Sequence, residues 1–356
     1  TAMGSLVASV TGLDLKISVL VCGIAMTLYL LAAGMWSVAF TSVAFMFTIG
    51  TGIPIAFWWV MKKEIPLLAT AAGLSGYAGL SNALNGIGLD SAALFSPFSL
   101  GAMSVLGYFV GGILGIPAAQ ATINYSFGAK NWKIARLAPV LAAILILPLS
   151  IWTGSLGLFA RAAGLTTNPK LALGEALMSI HPVVGGIGIA GIFAALISTV
   201  AGILFGCASI MAKDIWQRWL HPNTDDRYLS RWTRLWILII GISSSFGAMT
   251  LPKILQQSFF VYSIRGALMI CVAFGLWWKR SHPDAAYYSL WVALIGGVMY
   301  QFKFPINFEA IFRLHISTWC AILSLLTFIL ISWRSKWTSQ TASELPPFIY
   351  YEGEKK

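Results

Sequence analysis

The chain has 356 residues, of which 58% are hydrophobic and 10% charged, and a mean hydropathy of +0.80; that is too little polar surface to cover a water-soluble globule of this size. The net charge of +11 is no sign of a nucleic-acid partner, because Lys and Arg fall in short segments between apolar runs instead of on one soluble face. The composition is that of an integral membrane protein in contact with the lipid bilayer.

In chain order, residues 1–12 read as the end of a helix. Runs long enough to cross the hydrocarbon core as α-helices follow at 17–33, 37–61, 98–124, 137–159, 183–212, 232–251, 254–278, 286–301 and 316–333. The expected fold class is therefore all-α, a polytopic transmembrane helix bundle of about nine spans plus a helix remnant. Residues 62–97 are rich in Gly, Ala, Ser and Leu. They are too polar for a further span and too apolar for a free linker, so a loop with a half-helix packed on the outer face is expected. Residues 160–182 place Leu173, Ala176, Leu177 and Ile180 on one helical face, the pattern of a short external helix lying on the bundle. Asn168-Pro169 is its start signal, and His181-Pro182 ends it and opens the next span. The tail 334–356 is too short for an enzyme module. Thr1 is not an initiator methionine and no signal-peptide pattern precedes the first span, so the chain is expected to begin within a longer protein.

Orientation follows from the basic residues. The loops at 128–136, 213–231 and 279–280, with the tail, collect Lys130, Lys133, Arg136, Lys213, Arg218, Arg227, Arg231, Lys279, Arg280, Arg334, Lys336, Lys355 and Lys356. These short basic loops are assigned to the cytoplasm. The other side holds Lys16, Lys62, Lys63, Arg161, Lys170, Lys253, Lys303 and Arg313 on longer loops. A multi-pass protein of a bacterial or archaeal plasma membrane is expected.

The four cysteines, Cys22, Cys207, Cys271 and Cys320, all lie in apolar runs without metal-ligand spacing, which fits small packing residues between helices better than a zinc site or disulfides. His181, His221, His282 and His315 sit at span ends or in loops and read as interfacial hydrogen-bonding groups.

The stretch Phe193 to Arg218, FAALISTVAGILFGCASIMAKDIWQR, carries the most chemistry. Small residues recur through its span: Gly185, Gly186, Gly188, Gly191, Ala194, Ala195, Ser198, Ala201, Gly202 and Gly206. They let neighbouring backbones approach, which predicts a helix buried in the bundle. The apolar run ends at Lys213-Asp214. Residues three and four apart share a helix face, so the Ala195 carbonyl and the Ser198 and Thr199 hydroxyls come together at mid-membrane. Three neutral, hard oxygens suit a weakly held monovalent cation such as Na⁺. The bland alternative is that both hydroxyls bond back to their own helix or to a neighbour.

Elsewhere, Gly111, Gly112, Gly115 and Pro117 are expected to interrupt helical bonding at mid-span and free backbone groups to face a cavity. Gln120 and Asn124 lie one turn apart and suit a polar solute. Gln256, Gln257 and Ser258 open the span 254–278, and Arg265 lies well inside it. A membrane-embedded Arg is expensive and needs a partner, either a bound solute or helix-end carbonyls; if it faces a pocket, a carboxylate-bearing solute gains weight.

Several segments, in order, resemble the sodium:solute symporter family. GIAGIFAALISTVAGILFGCASIMAKDIW is similar to its signature helix, Ala-Ala-x-x-Ser-(Thr/Ser) followed by small residues and a terminal (Lys/Ser)-Asp-(Ile/Leu)-aromatic. Thr27 to Gly50, TLYLLAAGMWSVAFTSVAFMFTIG, resembles its Tyr-x-x-x-Gly-Gly-x-x-(Ser/Ala)-Val-x-x-Thr-Asp pattern. Gly128 to Arg136, GAKNWKIAR, resembles its cytoplasmic turn, Tyr228 to Arg234, YLSRWTR, resembles the start of the following helix, and Gly275 to Gly297, GLWWKRSHPDAAYYSLWVALIGG, resembles its Gly-Leu-aromatic-Trp-Lys-Arg run.

The likeness covers nearly the whole chain. It implies a partial LeuT-type inverted-repeat fold, with 1–61 as the end of the first repeat, 98–278 as the second, 286–333 as two extra C-terminal helices and 334–356 as a cytoplasmic tail. The first two core helices fall outside the chain on this template. The resemblance also implies that Ala195, Ser198 and Thr199 form one half of a sodium site, completed by carbonyls of the first core helix. The substrate-binding candidates are Gly115, Ile116, Gln120, Asn124, Ser258 and Arg265.

Two departures matter. Thr41-Ser42 stands where the family often has Thr-Asp, so a carboxylate is lost. Around Pro117 the family's Gly-Gln-Pro and following Arg are replaced by Gly115-Ile116-Pro117, which leaves the register through 118–127 open.

The leading expectation is a sodium-coupled secondary symporter of a small organic solute of the amino acid, carboxylate, sugar or vitamin class, working by alternating access, with Na⁺ as coupling ion and no other cofactor. The alternatives are an uncoupled or proton-coupled permease of the same fold, or a non-transporting membrane sensor or partner chain. No Asp or Glu falls clearly inside a span, which disfavours a carboxylate proton relay. No nucleophile, base and orienting group converge in any segment, which disfavours an enzyme.

Overall fold

The computed structural model describes residues 1–69, 73–96, 98–99, 101–119, 122–123, 128–221, 226–250, 254–278, 280–302 and 315–334, without the side chains at 33–40, 226–227, 250, 254–257 and 302. Among these, every regular element is helical: α1 Ala2–Thr11, α2 Leu15–Trp59 with a π-helical continuation Val60–Glu64, α3 Ile65–Leu68, α4 Gly76–Gly86, α5 Ser91–Phe95, α6 Ala102–Gly115, α7 Trp132–Ala162, α8 Ala172–Ser179, α9 Pro182–Ile210 with a π-helical continuation Met211–Leu220, α10 Asp226–Thr250, α11 Ile254–Trp277, α12 Pro283–Phe302 and α13 Ile316–Arg334. Two compact units result, Thr1–Ser99 with Gln120–Ile254 and Leu100–Ala119 with Leu255–Lys356.

In the first unit, α1 closes at Gly12, whose φ of 71° caps it and whose N–H bonds Ala8 O; this left-handed conformation is cheap only for glycine. Asp14 then caps α2 by accepting from the Lys16 and Ile17 N–H groups, the usual way of satisfying orphan donors at a helix start. The 45 residues of α2 would span about 68 Å if straight, twice a bilayer core. They are not straight. The Tyr29 and Thr41 hydroxyls lie 2.9 Å apart, whereas twelve residues of straight helix separate two positions by about 18 Å.

The helix therefore reverses between Tyr29 and Thr41, and its packing agrees. A Cβ on Gly23 would meet Ser245 and one on Gly241 would meet Thr27, so the first limb runs antiparallel to α10. Gly52 lies against Ile187 and Gly191 against Thr48, so the second limb runs antiparallel to α9. The expected spans at 17–33 and 37–61 are thus the two limbs of one helical stretch. The intervening Ala33-Gly34-Met35-Trp36 holds a single glycine and no proline, so the sequence gives little sign of the reversal.

The core of this unit joins α1, the second limb of α2, α4, α7, α8 and α9 through Leu6, Ile53, Ala56, Leu80, Leu84, Leu156, Leu177 and Val184. The external helix α8 buries Gly174, Ala176 and Leu177, and Ile180 follows them, close to the face expected from the sequence. The segment after 62 folds as three short helices, with α4 anchored to α7 by a 2.9 Å bond between Tyr77 and Ser155.

In the second unit, α11, α12 and α13 share a core at Cys271, Ala285 and Phe328. The Ser324 hydroxyl donates to Ala267 O at 3.3 Å, and the Cys271 thiol and Ser289 hydroxyl pair at 3.0 Å. All four cysteines carry free thiols.

Among the described residues, seven helical segments are long and apolar enough to cross a membrane. Two of the nine expected spans fall outside that set. α6 ends at Gly115 after 14 residues, and the 20-residue α12 is less apolar because it carries Asp284, Tyr287, Tyr288, Tyr300 and Gln301. Lys213-Asp214 ends the apolar run of α9 but not the helical backbone, which continues to Leu220; charged side chains end a span without damaging helical bonding.

Candidate functional site

α9 offers two different faces. Val184, Gly185, Gly188, Gly191, Ile192, Ala194 and Ala201 are buried, and a Cβ at Gly185 or Gly191 would strike the carbonyls of Leu177 or Thr48. Small residues do bring this helix close to its neighbours, but along one side only. Gly186 and Thr199 are exposed, and Ala195, Ser198 and Gly202 are partly so. The candidate oxygens lie on this more open side.

There the Ser198 hydroxyl donates to Ala195 O at 3.0 Å and the Thr199 hydroxyl to the same oxygen at 2.8 Å. The structure thus brings Ala195, Ser198 and Thr199 together. Each hydroxyl uses its one proton inwards, so its lone pairs are left to face away from the helix. Convergent neutral acceptors with no carboxylate fit a monovalent cation that must be released as readily as it is taken up. Thr41, on the second limb of α2, holds Tyr29, and the adjacent Ser42 brings no charge.

In the second unit, Gly107, Gly111 and Gly115 form a stripe along α6 that packs against other helices. A Cβ would meet His315 at Gly107, Ser317 at Gly111 and the Tyr262 carbonyl at Gly115. The expected mid-span break comes at Gly115 to Pro117, not at Gly111 and Gly112. Gly111 and Gly112 sit inside regular helix, which gives way only past Gly115; tight packing on α11 and α13 supports Gly107, Gly111 and Gly115 where their propensity would weaken a free helix. Ile116 is 51% exposed and, with Tyr108, Phe109, Gly112, Ile113 and Pro117, lines an open cavity of about 490 Å³.

Beside α6 stands an aromatic group that the sequence pattern does not announce. Tyr108 stacks on Phe259 at 4.3 Å between ring centroids, and both meet the His315 ring edge-on at 5.0 and 5.2 Å. His315 Nδ1 accepts from the Ser317 N–H. The four-residue spacing of Gly107, Gly111 and Gly115 is the one signal that could have found it. Ser258 and Arg265 both lie on α11 and are partly buried. Arg265 makes no hydrogen bond or ion pair among the described residues. Gln120, Asn124 and the side chains of Gln256 and Gln257 lie outside the described residues.

With this geometry in place, likeness to known proteins is informative. The model of the sodium:solute symporter family matches residues 1–293. The chain belongs to the sodium:solute symporter family. Among relatives, the human high affinity choline transporter 1 is 24% identical over 372 aligned residues, which cover 98% of this chain and 63% of that protein; the chain thus spans under two thirds of that relative's length. Among solved structures, a Na⁺-coupled sialic acid symporter in its substrate-bound, outward-open state superposes with a TM-score of 0.71 at 17% identity, covering 94% of this chain and 70% of the other. The fold is of the LeuT type, and this member of the symporter family is a multi-pass membrane protein.

Proposed function

We propose that the protein is a sodium-coupled secondary symporter of a small organic solute, with Na⁺ held by the Ala195 carbonyl and the Ser198 and Thr199 hydroxyls. The observation that carries the reading is the placement of Ala195, Ser198 and Thr199 together on the open side of α9 in a chain of this family; both hydroxyls bond back to Ala195 O at 3.0 and 2.8 Å, contacts that Na⁺ has to share or replace. Na⁺ bound there favours one state of the carrier, and linkage passes the energy of its gradient to the solute. Solute contact is assigned to Gly115, Ile116, Gln120, Asn124, Ser258 and Arg265. That the curated relative is a choline transporter and the structural neighbour takes sialic acid supports a small polar organic solute in general.

The test uses the complete protein in proteoliposomes. S198A/T199A removes two ligands and keeps the small-residue packing, so Na⁺-driven solute uptake is lost at near-normal protein abundance. Uptake with an unchanged sodium dependence contradicts the assignment.

A further inference from the structure

Charged side chains in the described spanning helices gather towards the ends: Lys16 in the first turn of α2, Lys133, Arg136 and Arg161 at the two ends of α7, Arg231 and Arg234 in the first half of α10, and Arg334 closing α13. Arg265 departs from this pattern, near the middle of the 24-residue α11. Its own unit offers no carboxylate to pair with it among the described residues. α6, α11 and α13 hold no Asp or Glu, and Asp284 sits in the first turn of α12, 3.6 Å from His282.

Helix geometry gives the side of α11 on which Arg265 stands. Phe259, Tyr262 and Gly266 meet α6, while Ser263 and Ala267 pack toward α13. Arg265 lies on neither side. It shares a third face with Ser258, seven residues and two turns earlier, flanked by the exposed Val261, Leu268 and Val272. Helical side chains lean toward the N-terminus, which is the direction of Ser258.

We infer that the solute is an organic anion whose carboxylate is taken by the Arg265 guanidinium, with Ser258 contacting the solute on the same face of α11. The planar guanidinium matches a carboxylate with two parallel hydrogen bonds and keeps its charge at any physiological pH. A permanent cation at mid-span that no described carboxylate of its unit pairs with is complemented by a ligand that arrives negative. The inference rests on the symporter reading for its sodium dependence but not for its charge selectivity.

The experiment follows thermal unfolding of the purified complete protein against concentration of acetate, pyruvate, glutamate and N-acetylneuraminate, with glucose, proline and choline as neutral, zwitterionic and cationic counterparts, each in NaCl and in KCl. At least one anion is expected to stabilise the protein saturably while the counterparts do not. R265Q is expected to raise its half-saturation by roughly tenfold or more, and R265K by less, because Lys keeps the charge without the fork. The proposal is overturned if no anion stabilises, if only the counterparts do, or if R265Q leaves the anion response intact. Should R265Q not fold, R265K decides: a raised half-saturation supports the proposal and an unchanged one overturns it. Equal anion binding in NaCl and KCl would leave the carboxylate site standing and remove sodium coupling, whereas sodium-dependent stabilisation by a neutral solute alone would do the reverse.

Discussion

The oxygen cluster on α9 has a counterpart on α10. There the Ser244 and Ser245 hydroxyls donate to Gly241 O at 3.0 and 2.6 Å, the same three- and four-residue spacing as Ser198 and Thr199 on Ala195. The surroundings differ. On α10, Ser245 is 5% exposed, with Gly23 of α2 pressed against it and Thr27 against Gly241, so two of the three residues are committed to packing. On α9 none of the three residues is buried. Back-bonding hydroxyls are thus a local habit of membrane helices, and what separates a candidate ion site from a packing motif is whether a neighbouring helix covers the oxygens.

That contrast sets the largest expected effect. S198A/T199A removes two ligand oxygens worth about 2–3 kcal/mol together, so Na⁺ affinity falls by roughly 30- to 150-fold, while S244A/S245A leaves it within about twofold. Titration of sodium-dependent uptake with both double variants checks this. Equal losses in the two would erase the distinction between covered and open clusters.

A second prediction concerns how tightly α9 is held on its packed side. A Cβ at Gly52 would strike the Ile187 carbonyl oxygen, a backbone atom that cannot swing away. Gly52→Val should cost about 1–3 kcal/mol and lower both abundance and the thermal midpoint in detergent. Wild-type stability in this variant would mean that the second limb of α2 does not pack on α9 as described.

The smallest effect has the opposite sign. A methyl group added at Gly154 or Gly157 of α7 would meet nothing within 4 Å, so Gly154→Ala or Gly157→Ala should stabilise by about 0.5–1 kcal/mol through helix propensity alone. A loss of stability in the same thermal assay would show that α7 has a close neighbour at this level.

Much of this architecture is legible in the sequence because apolar length and residue spacing are local properties. The two limbs of α2, the external helix α8 and the meeting of Ser198 and Thr199 on Ala195 follow from run length and three- and four-residue spacing. Other features depend on which helix lies opposite, which no local pattern encodes. Gly111 and Gly112 invite a break in α6 but sit inside regular helix, Gly111 against Ser317 and Gly112 on the open cavity. The Gly241-Ser244-Ser245 cluster has the same local signal as Ala195-Ser198-Thr199 and a different fate. The Tyr108, Phe259 and His315 rings are far apart in the chain, and only the Gly107-Gly111-Gly115 stripe hints at the contact that gathers them. Arg265 is visible as an embedded charge, but its lack of a carboxylate partner among the described residues of its own unit becomes clear only from the packing of α11.

The most direct test of the central claim is equilibrium binding of radiolabelled Na⁺ to the purified complete protein, compared among the wild type, S198A/T199A and S244A/S245A. The account predicts saturable binding whose affinity S198A/T199A lowers by at least roughly 30-fold and S244A/S245A retains; undiminished affinity in S198A/T199A would contradict it.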